Sequence, residues 1–186
     1  MAQVVVYDAC VLYPAPLRDL LLRLAVAGVV RARWSTTILD ETFRNLAAKR
    51  PDLSTDMLER TRALMNAAIP DCLVTGHERL TDQLALPDEN DRHVLAAAIH
   101  AQAQAIVTFN RKDFPSSSLD PYGIRALHPD QLVTDLLNRV PSLVIHVVGA
   151  QARALRAPPM TLIQLLDVLT VSGLDESVAR MRELLG

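Results

Sequence analysis

The spacing of apolar residues predicts an alternation of short strands and helices over the first two thirds of the chain. Residues 3–8 are a β-branched run without polar alternation, which is typical of a strand buried on both faces. Further strands are predicted over residues 71–75, 104–109 and 123–127. Leucines at helical spacing predict a helix over residues 18–30. Similar patterns predict helices from Ser35 or Thr36 to a point before Pro51, over 54–68, and from Pro87–Asp88 through Ile99.

From Pro129 onward the pattern is helical throughout. Helices are predicted over residues 130–139, 142–156, 161–171 and 174–185, with breaks at prolines and at Gly173. Residues 142–149 also suit a strand, and we favour a helix because the pattern continues beyond them. The chain therefore divides into an α/β part, residues 1–128, and a helical C-terminal extension, residues 129–186.

Strands that alternate with helices predict a parallel sheet flanked by helices on both faces. In such sheets the functional site lies beyond the carboxyl ends of the strands. Asp8 and Asn110 each follow a predicted strand, so both are expected at that edge.

Net charge and composition narrow the class of protein. A net charge of −2 argues against a protein that coats nucleic acid by bulk charge, but it leaves room for a local basic rim. Candidates for that rim are Arg18, Arg23, Arg31, Arg33, Arg44, Lys49, Arg50, Arg111 and Lys112. Cys10 and Cys72 form neither a CxxC pair nor a zinc pattern and are expected as reduced thiols. No secretory signal or membrane span is visible, so a soluble cytoplasmic protein is expected, without membrane contact.

Acidic residues stand at the ends of predicted elements. Asp8 closes the first strand, where a carboxylate is costly without a cation or hydrogen-bond donors. A capping role for Asp8 is not expected, because the next predicted helix begins too late. Glu41 lies near the start of a helix, where an acid also complements the helix dipole, and Asn45 follows one turn later on the same face.

Asp88 and Asp91 lie three residues apart at another helix start. Capping and dipole complementarity explain Asp88 well, but two such close carboxylates repel each other unless a cation balances them. His93 is expected on the other side of that helix, in a core or surface role. In the segment 108–114, Asp113 pairs with Arg111 or Lys112 in the simplest interpretation, and Asn110 offers a neutral oxygen.

Carboxylates without thiolates or clustered imidazoles favour Mg²⁺ or Mn²⁺ over Zn²⁺. Mg²⁺ binds through one or two carboxylates together with phosphate oxygens and keeps several waters. That preference suits the hydrolysis of a phosphodiester bond. We expect Asp8, Asp88 and Asp91 as metal ligands.

These segments together resemble a PIN-domain ribonuclease, closest to the VapC-type toxins of bacterial toxin–antitoxin pairs. Asp8 in Val-Val-Val-Tyr-Asp, Glu41 in Ile-Leu-Asp-Glu-Thr and Asp91 in Asp-Arg-His-Val-Leu match the first three acids of the family. The fourth family acid falls in the segment 108–114, where many relatives have Asp and this chain has Asn110. Asp113 is then the fourth carboxylate, or that carboxylate is absent.

The resemblance covers roughly residues 3–128 and implies Mg²⁺- or Mn²⁺-dependent cleavage of single-stranded RNA. It also implies a homodimer, and a VapB-type antitoxin that docks over the early helices and blocks the acidic pocket. Leucines 17–24 and the apolar stripe of the second helix offer a groove for it, unless the leucines belong to the core. The expected catalytic residues are Asp8, Glu41, Asp91 and Asp113. The expected substrate-positioning residues are Asn45, Asn110, Arg111 and Lys112.

Three other interpretations remain open. A haloacid-dehalogenase-like phosphatase also places Asp after its first strand, but it needs a second Asp at the position that Cys10 occupies here. A non-catalytic RNA- or protein-binding module on a degenerate PIN fold would have no need to gather three carboxylates. The helical extension is a third candidate for the functional half of the chain.

Overall fold

The computed structural model describes residues 2–186 and contains one parallel sheet. Its strands are β1 Gln3–Tyr7, β2 Val30–Ser35, β3 Leu73–Val74, β4 Ala105–Val107 and β5 Arg125–Leu127. Their spatial order is β3-β2-β1-β4-β5, and every neighbouring pair is parallel. Val5, Val6 and Tyr7 of the central strand are fully buried, as a strand covered by helices on both faces requires. The expected α/β fold with a parallel sheet is confirmed.

Helices connect the strands and cover the sheet. In the first part of the chain they are α1 Ala9–Leu12, α2 Ala15–Val26, α3 Thr36–Lys49, α4 Thr55–Ala68, α5 Glu78–Thr81, α6 Arg92–His100 and α7 Ser116–Leu119. Short 3₁₀ turns lie at Glu89–Asp91, Arg111–Asp113 and Asp120–Tyr122. Among the described residues, no helix combines the length and apolar character that a membrane crossing would need.

Helix α3 forms where the sequence predicts it. The hydroxyl of Ser35 accepts a hydrogen bond from the backbone N–H of Ile38 at 3.2 Å, which caps the helix start. One apolar face then packs inward. Its buried residues are Ile38, Leu39, Thr42, Phe43 and Leu46. This face fixes the rotation of α3 and thereby the direction in which Glu41 points.

The helix predicted over residues 18–30 is wrong at both ends. Helix α2 begins at Ala15, because Pro14 and Pro16 fit the first turn of a helix, and it ends at Val26. Gly28 then adopts a φ of +75°, which breaks the helix, and the chain enters strand β2. This strand was not predicted, because its alternating arginines hide the apolar face that contains Trp34.

The extension is helical, as predicted, and packs on the α/β part. Its helices are α8 Pro129–Arg139, α9 Pro141–Ala154, α10 Leu162–Val171 and α11 Asp175–Leu185. Helix α9 packs against α2, and α8 packs against α11. The Asp130 carboxylate accepts hydrogen bonds from the backbone N–H groups of Glu176 and Ser177, both at 2.8 Å. One helix of the extension therefore caps the start of another. The division at residues 128 and 129 stays a prediction.

Candidate active site

Asp8 and Thr108 lie side by side at the carboxyl edge of the sheet. Tyr7 pairs with Val107 in the register of β1 and β4, so the residue after each strand end falls beside the other. The Thr108 hydroxyl donates a hydrogen bond of 2.7 Å to Asp8 Oδ2. Asp8 is only 7% exposed and Thr108 is fully buried. The topology thus fixes one carboxylate at the point where a ligand site is expected.

Asp8 also caps helix α1, which corrects the expectation that no helix starts close enough. The backbone N–H of Ala9 donates to Asp8 Oδ1 at 2.7 Å. The Cys10 thiol donates to the other oxygen, Oδ2, at 3.1 Å. Burial raises the pKa of Asp8, and these three hydrogen bonds oppose that rise. The carboxylate is therefore held in one orientation by three donors.

Asp88 and Asp91 differ in whether their side chains form capping hydrogen bonds. Asp88 Oδ1 accepts from the backbone N–H and the side-chain amide of Asn90, both at 2.9 Å, so capping accounts for this residue. Asp91 stands at the N-cap position of α6, but its side chain makes no capping hydrogen bond. The Asp91 carboxylate is left available for another partner.

Four other acids surround Asp91 closely enough to disturb its ionisation. Its pKa is raised to about 6, first by burial and then by the negative charges of Asp8, Asp88, Asp113 and Glu41. We call these five residues the acidic cluster. They come from β1, α3, the turn before α6 and the turn after β4, so the fold gathers carboxylates from segments far apart in sequence. Such crowding is unfavourable unless a cation offsets it.

Glu41 has a neighbour that the sequence did not predict. Its Oε2 lies 3.7 Å from Nε2 of His93, and the Glu41 side chain remains 35% exposed. The second ring nitrogen of His93, Nδ1, is buried without a hydrogen-bond partner in the described part of the chain. Helical geometry places His93 on the side of α6 away from Asp91. It does not show which other helix faces that side, and in the structure His93 faces Glu41 of α3. The expectation of a plain core or surface role for His93 was incomplete.

Asn110 and Asp113 form one unit. The Asn110 side-chain amide donates a hydrogen bond to the Asp113 carboxylate, and the Asn110 backbone N–H donates to the Thr108 hydroxyl at 3.0 Å. Within residues 2–186, Asp113 forms no ion pair with Arg111 or Lys112, contrary to the simplest interpretation. Asn110 therefore orients the Asp113 carboxylate, and the role of Asp113 as the fourth carboxylate stays a prediction.

The remaining substrate-positioning candidates lie on the surface. Asn45 is exposed one turn after Glu41 on α3. Arg111 and Lys112 are exposed and line a cavity of about 520 Å³ beside β5. Nothing in the structure ties these three residues to a ligand, and their role stays a prediction.

Thr108 and Cys10 contact the acidic cluster but were not expected there. Thr108 donates to Asp8 and accepts from the Asn110 backbone, so one hydroxyl links two of the segments that build the cluster. Burial and the Asp8 charge raise the pKa of the Cys10 thiol to about 12, so this group stays a donor. The register of β1 and β4 brings Thr108 beside Asp8, and this register is visible only in the structure.

The helical extension reaches the same segment. The Phe109 ring packs edge-on against His128, with 5.1 Å between ring centroids. Gly173, between α10 and α11, has a φ of +94°, and a Cβ there would lie 2.9 Å from Phe109 Cε1. The turn of the extension therefore fits closely against the residue between Thr108 and Asn110.

The carboxylates of the acidic cluster are ligands that suit a hard divalent ion, although they are not arranged as a complete metal site. In residues 2–186, no three His, Cys, Asp or Glu side chains are arranged to hold a metal ion together. The expected set of Asp8, Asp88 and Asp91 therefore stays a prediction. Mg²⁺ needs only one or two protein carboxylates when water and phosphate complete its shell. Asp91, which lacks a capping bond, and Asp8, which is fixed by donors, fit that requirement.

Comparison with known proteins identifies both parts of the chain. A family model described as PIN domain matches residues 4–112, and one described as VapC50 C-terminal domain matches residues 129–183. A curated relative from Mycobacterium tuberculosis (strain ATCC 25618 / H37Rv), named "Putative ribonuclease VapC50", is 46% identical over 79 residues. The alignment covers 42% of this chain and 47% of that protein, so the chain spans about half the length of this relative. No solved structure matches the chain.

Proposed function

The chain belongs to the PIN-domain family, and from this premise we propose that it is a metal-dependent endoribonuclease. In this proposal it hydrolyses phosphodiester bonds in single-stranded regions of RNA and is the toxin of a type II toxin–antitoxin pair. The match of its extension to the VapC50 C-terminal domain, and the ribonuclease name of the relative, support the toxin assignment.

The gathering of the acidic cluster carries the proposal. Asp8, Glu41, Asp88 and Asp113 all act on the ionisation of Asp91, although they stand on separate elements of the fold. A module that only binds RNA or protein has no need for clustered carboxylates, which would repel a phosphate backbone. An enzyme that binds a divalent ion next to a phosphate does need them.

The residues of the acidic cluster divide into separate roles. Asp8 and Asp91 would hold Mg²⁺ or Mn²⁺, with Asp88 beside them. When bound, such an ion supplies positive charge to the phosphoryl oxygens and acidifies water. Glu41 would act as the proton acceptor, and Nε2 of His93, 3.7 Å from Glu41 Oε2, would help to position that carboxylate. Asp113, oriented by Asn110, completes the negative pocket.

The surface residues near the cluster would bind the rest of the substrate. Asn45, Asn110, Arg111 and Lys112 offer amide and cationic groups that suit phosphate and ribose. We propose that the protein acts on RNA in the cytoplasm and that its active form is a homodimer.

A VapB-type antitoxin is the proposed inhibitor, but the sequence-based docking groove needs correction. The leucines expected to form it are fully buried and belong to the core. They are Leu17, Leu20, Leu21 and Leu24. We place the antitoxin instead at the open cleft between α2, α4 and the extension. This cleft has a volume of about 730 Å³ and includes Leu64, which is 59% exposed.

A cleavage assay with and without chelator tests the proposed activity. The purified chain is expected to cut a pool of cellular RNA with Mg²⁺ or Mn²⁺, to stop with excess EDTA, and to recover when Mn²⁺ is restored. RNA fragments are measured by end mapping. An Asp91→Asn preparation purified in parallel controls for contaminating nucleases. RNA that is bound but left intact with both ions would favour the binding-only alternative.

A further inference from the structure

A second cavity lies at the opposite edge of the sheet from the acidic cluster. It has a volume of about 630 Å³ and forms where the amino ends of β1, β2 and β5 meet the turn before β4. Its side chains include Arg31 and Arg33 of β2, Arg125 of β5, and the polar residues Gln3 and Gln104. None of the functions proposed for the acidic cluster uses this cavity.

The charge in this cavity is positive and uncompensated. No Asp or Glu lines it, and none of its three arginines forms an ion pair with another described residue. Arg33 only donates a 3.4 Å hydrogen bond to the backbone oxygen of Ala32. In a chain with a net charge of −2, three unpaired guanidinium groups around one cavity form a local anion-attracting field.

The uncharged groups of the cavity add a donor. Gln104 is partly used, because its Oε1 accepts from the backbone N–H of Val4 at 2.7 Å and its Nε2 donates to the backbone oxygen of Gln102 at 2.9 Å. The amide nitrogen of Gln3, Nε2, is buried and has no hydrogen-bond partner in the described chain. A buried donor without an acceptor is costly, and since Gln3 lines the cavity, rotation of its amide toward a bound anion would satisfy it.

The spacing of the arginines indicates a ligand larger than one phosphate. Strands β1 and β4 stand between β2 and β5, so Arg31 and Arg125 flank the cavity from strands about 14 Å apart at ~4.8 Å per strand. Guanidinium groups bind phosphate oxygens through paired hydrogen bonds. A single phosphate would reach only one side of the cavity.

We propose that this cavity binds a ligand with two or more phosphate groups, one against the arginines of β2 and another against Arg125. Two sources share that chemistry: the backbone of a single-stranded RNA and the phosphate chain of a free nucleotide. The proposal goes beyond ribonuclease activity and does not depend on it, because the cavity and the acidic cluster lie at opposite ends of the strands.

Equilibrium binding in EDTA tests the proposal without cleavage. The probes are inorganic tripolyphosphate and a short single-stranded RNA, measured by calorimetry at fixed ionic strength. The test variant is Arg31→Gln/Arg125→Gln, since both residues are exposed and their loss leaves the core intact. Its matched control is Arg60→Gln/Arg139→Gln, which removes the same charge from exposed positions elsewhere.

The test variant is expected to lose about 10-fold or more in affinity for at least one probe, the equivalent of one good arginine–phosphate contact. The control should stay within about twofold of the parent, as nonspecific charge effects are small at fixed salt. A loss of affinity for RNA alone indicates a nucleic-acid backbone as the ligand, and a loss of affinity for tripolyphosphate indicates the phosphate chain of a free nucleotide. The proposal is overturned if the parent binds neither probe, if the test variant keeps the parent's affinity for both, or if the control loses as much affinity as the test variant. A cleavage assay of the same variants shows separately whether the nuclease works.

Discussion

Replacing Asp91 with asparagine is expected to lower the rate of RNA cleavage by about 100-fold or more, because it removes several kcal/mol of charge-dependent stabilisation. Asp91 makes no capping hydrogen bond, so the substitution removes no cap from α6. The amide has nearly the same volume as the carboxylate but carries no charge and binds a hard cation poorly. Single-turnover cleavage with saturating Mn²⁺ measures the loss.

The same substitution is expected to stabilise the metal-free fold at neutral pH. Asp91 releases its proton near pH 6 in the folded protein and near its usual pKa of 3.8 when unfolded. The folded state therefore holds the proton more tightly, and the parent loses stability as pH rises from about 3.8 to 6. Asp91→Asn does not titrate, so its advantage in melting temperature should be largest above pH 6 and vanish below pH 4.

Asp82→Asn is the matched control, since Asp82 is exposed at the end of α5 and outside the acidic cluster. It should cleave RNA like the parent and show no gain in melting temperature in EDTA. If Asp91→Asn keeps full activity, the assignment of Asp91 is wrong. Melting curves in EDTA separate a catalytic loss from unfolding. A variant that is inactive but melts at or above the parent's temperature has lost catalysis, whereas one that has also lost its folded circular dichroism signal is unfolded.

Replacing Thr108 with valine is expected to impair both stability and cleavage. The hydroxyl donates to Asp8 and accepts from the Asn110 backbone, and all of Thr108 is buried. Valine fills the same space but leaves a buried carboxylate oxygen and a backbone N–H without this partner. The expected loss of folding free energy is about 1–3 kcal/mol, measured by urea denaturation.

The pH dependence separates positioning by Thr108 from plain destabilisation. The hydrogen bond from Thr108 lowers the pKa of Asp8 against the effect of burial, so its removal must raise that pKa. If Asp8 holds the metal as proposed, cleavage needs its ionised form, and the acidic limb of the rate profile should therefore move to higher pH. Thr108→Ser keeps the hydroxyl and should keep the parent profile. A Thr108→Val profile that only drops in height, without moving, would contradict the positioning role.

The sequence predicts most of the fold, because apolar periodicity reports local structure directly. The stripe of α3 and the helices of the extension appear where the spacing of apolar residues places them. Strand β2 was missed, because Arg31 and Arg33 make a partly exposed strand look like a polar loop. The small residues and prolines around α1 and α2 likewise concealed where those helices begin.

The acidic cluster could be predicted only as a set of candidates. The parallel sheet places the ends of β1 and β4 together, which brings Asp8 to its edge. The contacts of His93 with Glu41 and of Thr108 with Asp8 depend on how separate elements pack against each other. Such packing cannot be predicted from the residues of one segment alone. The proximity of Phe109 and Gly173 was hidden for the same reason.

Diffraction from crystals soaked in Mn²⁺ is the most direct test of the acidic cluster as a metal site. Anomalous scattering is expected to show an ion bound by carboxylate oxygens of Asp8 and Asp91 at about 2.1–2.2 Å, a distance typical of a hard divalent ion. Asp91→Asn crystals treated in the same way should show a weaker peak or none. An acidic cluster that holds no manganese at a saturating concentration, in crystals whose lattice does not block access to it, would contradict a metal site there.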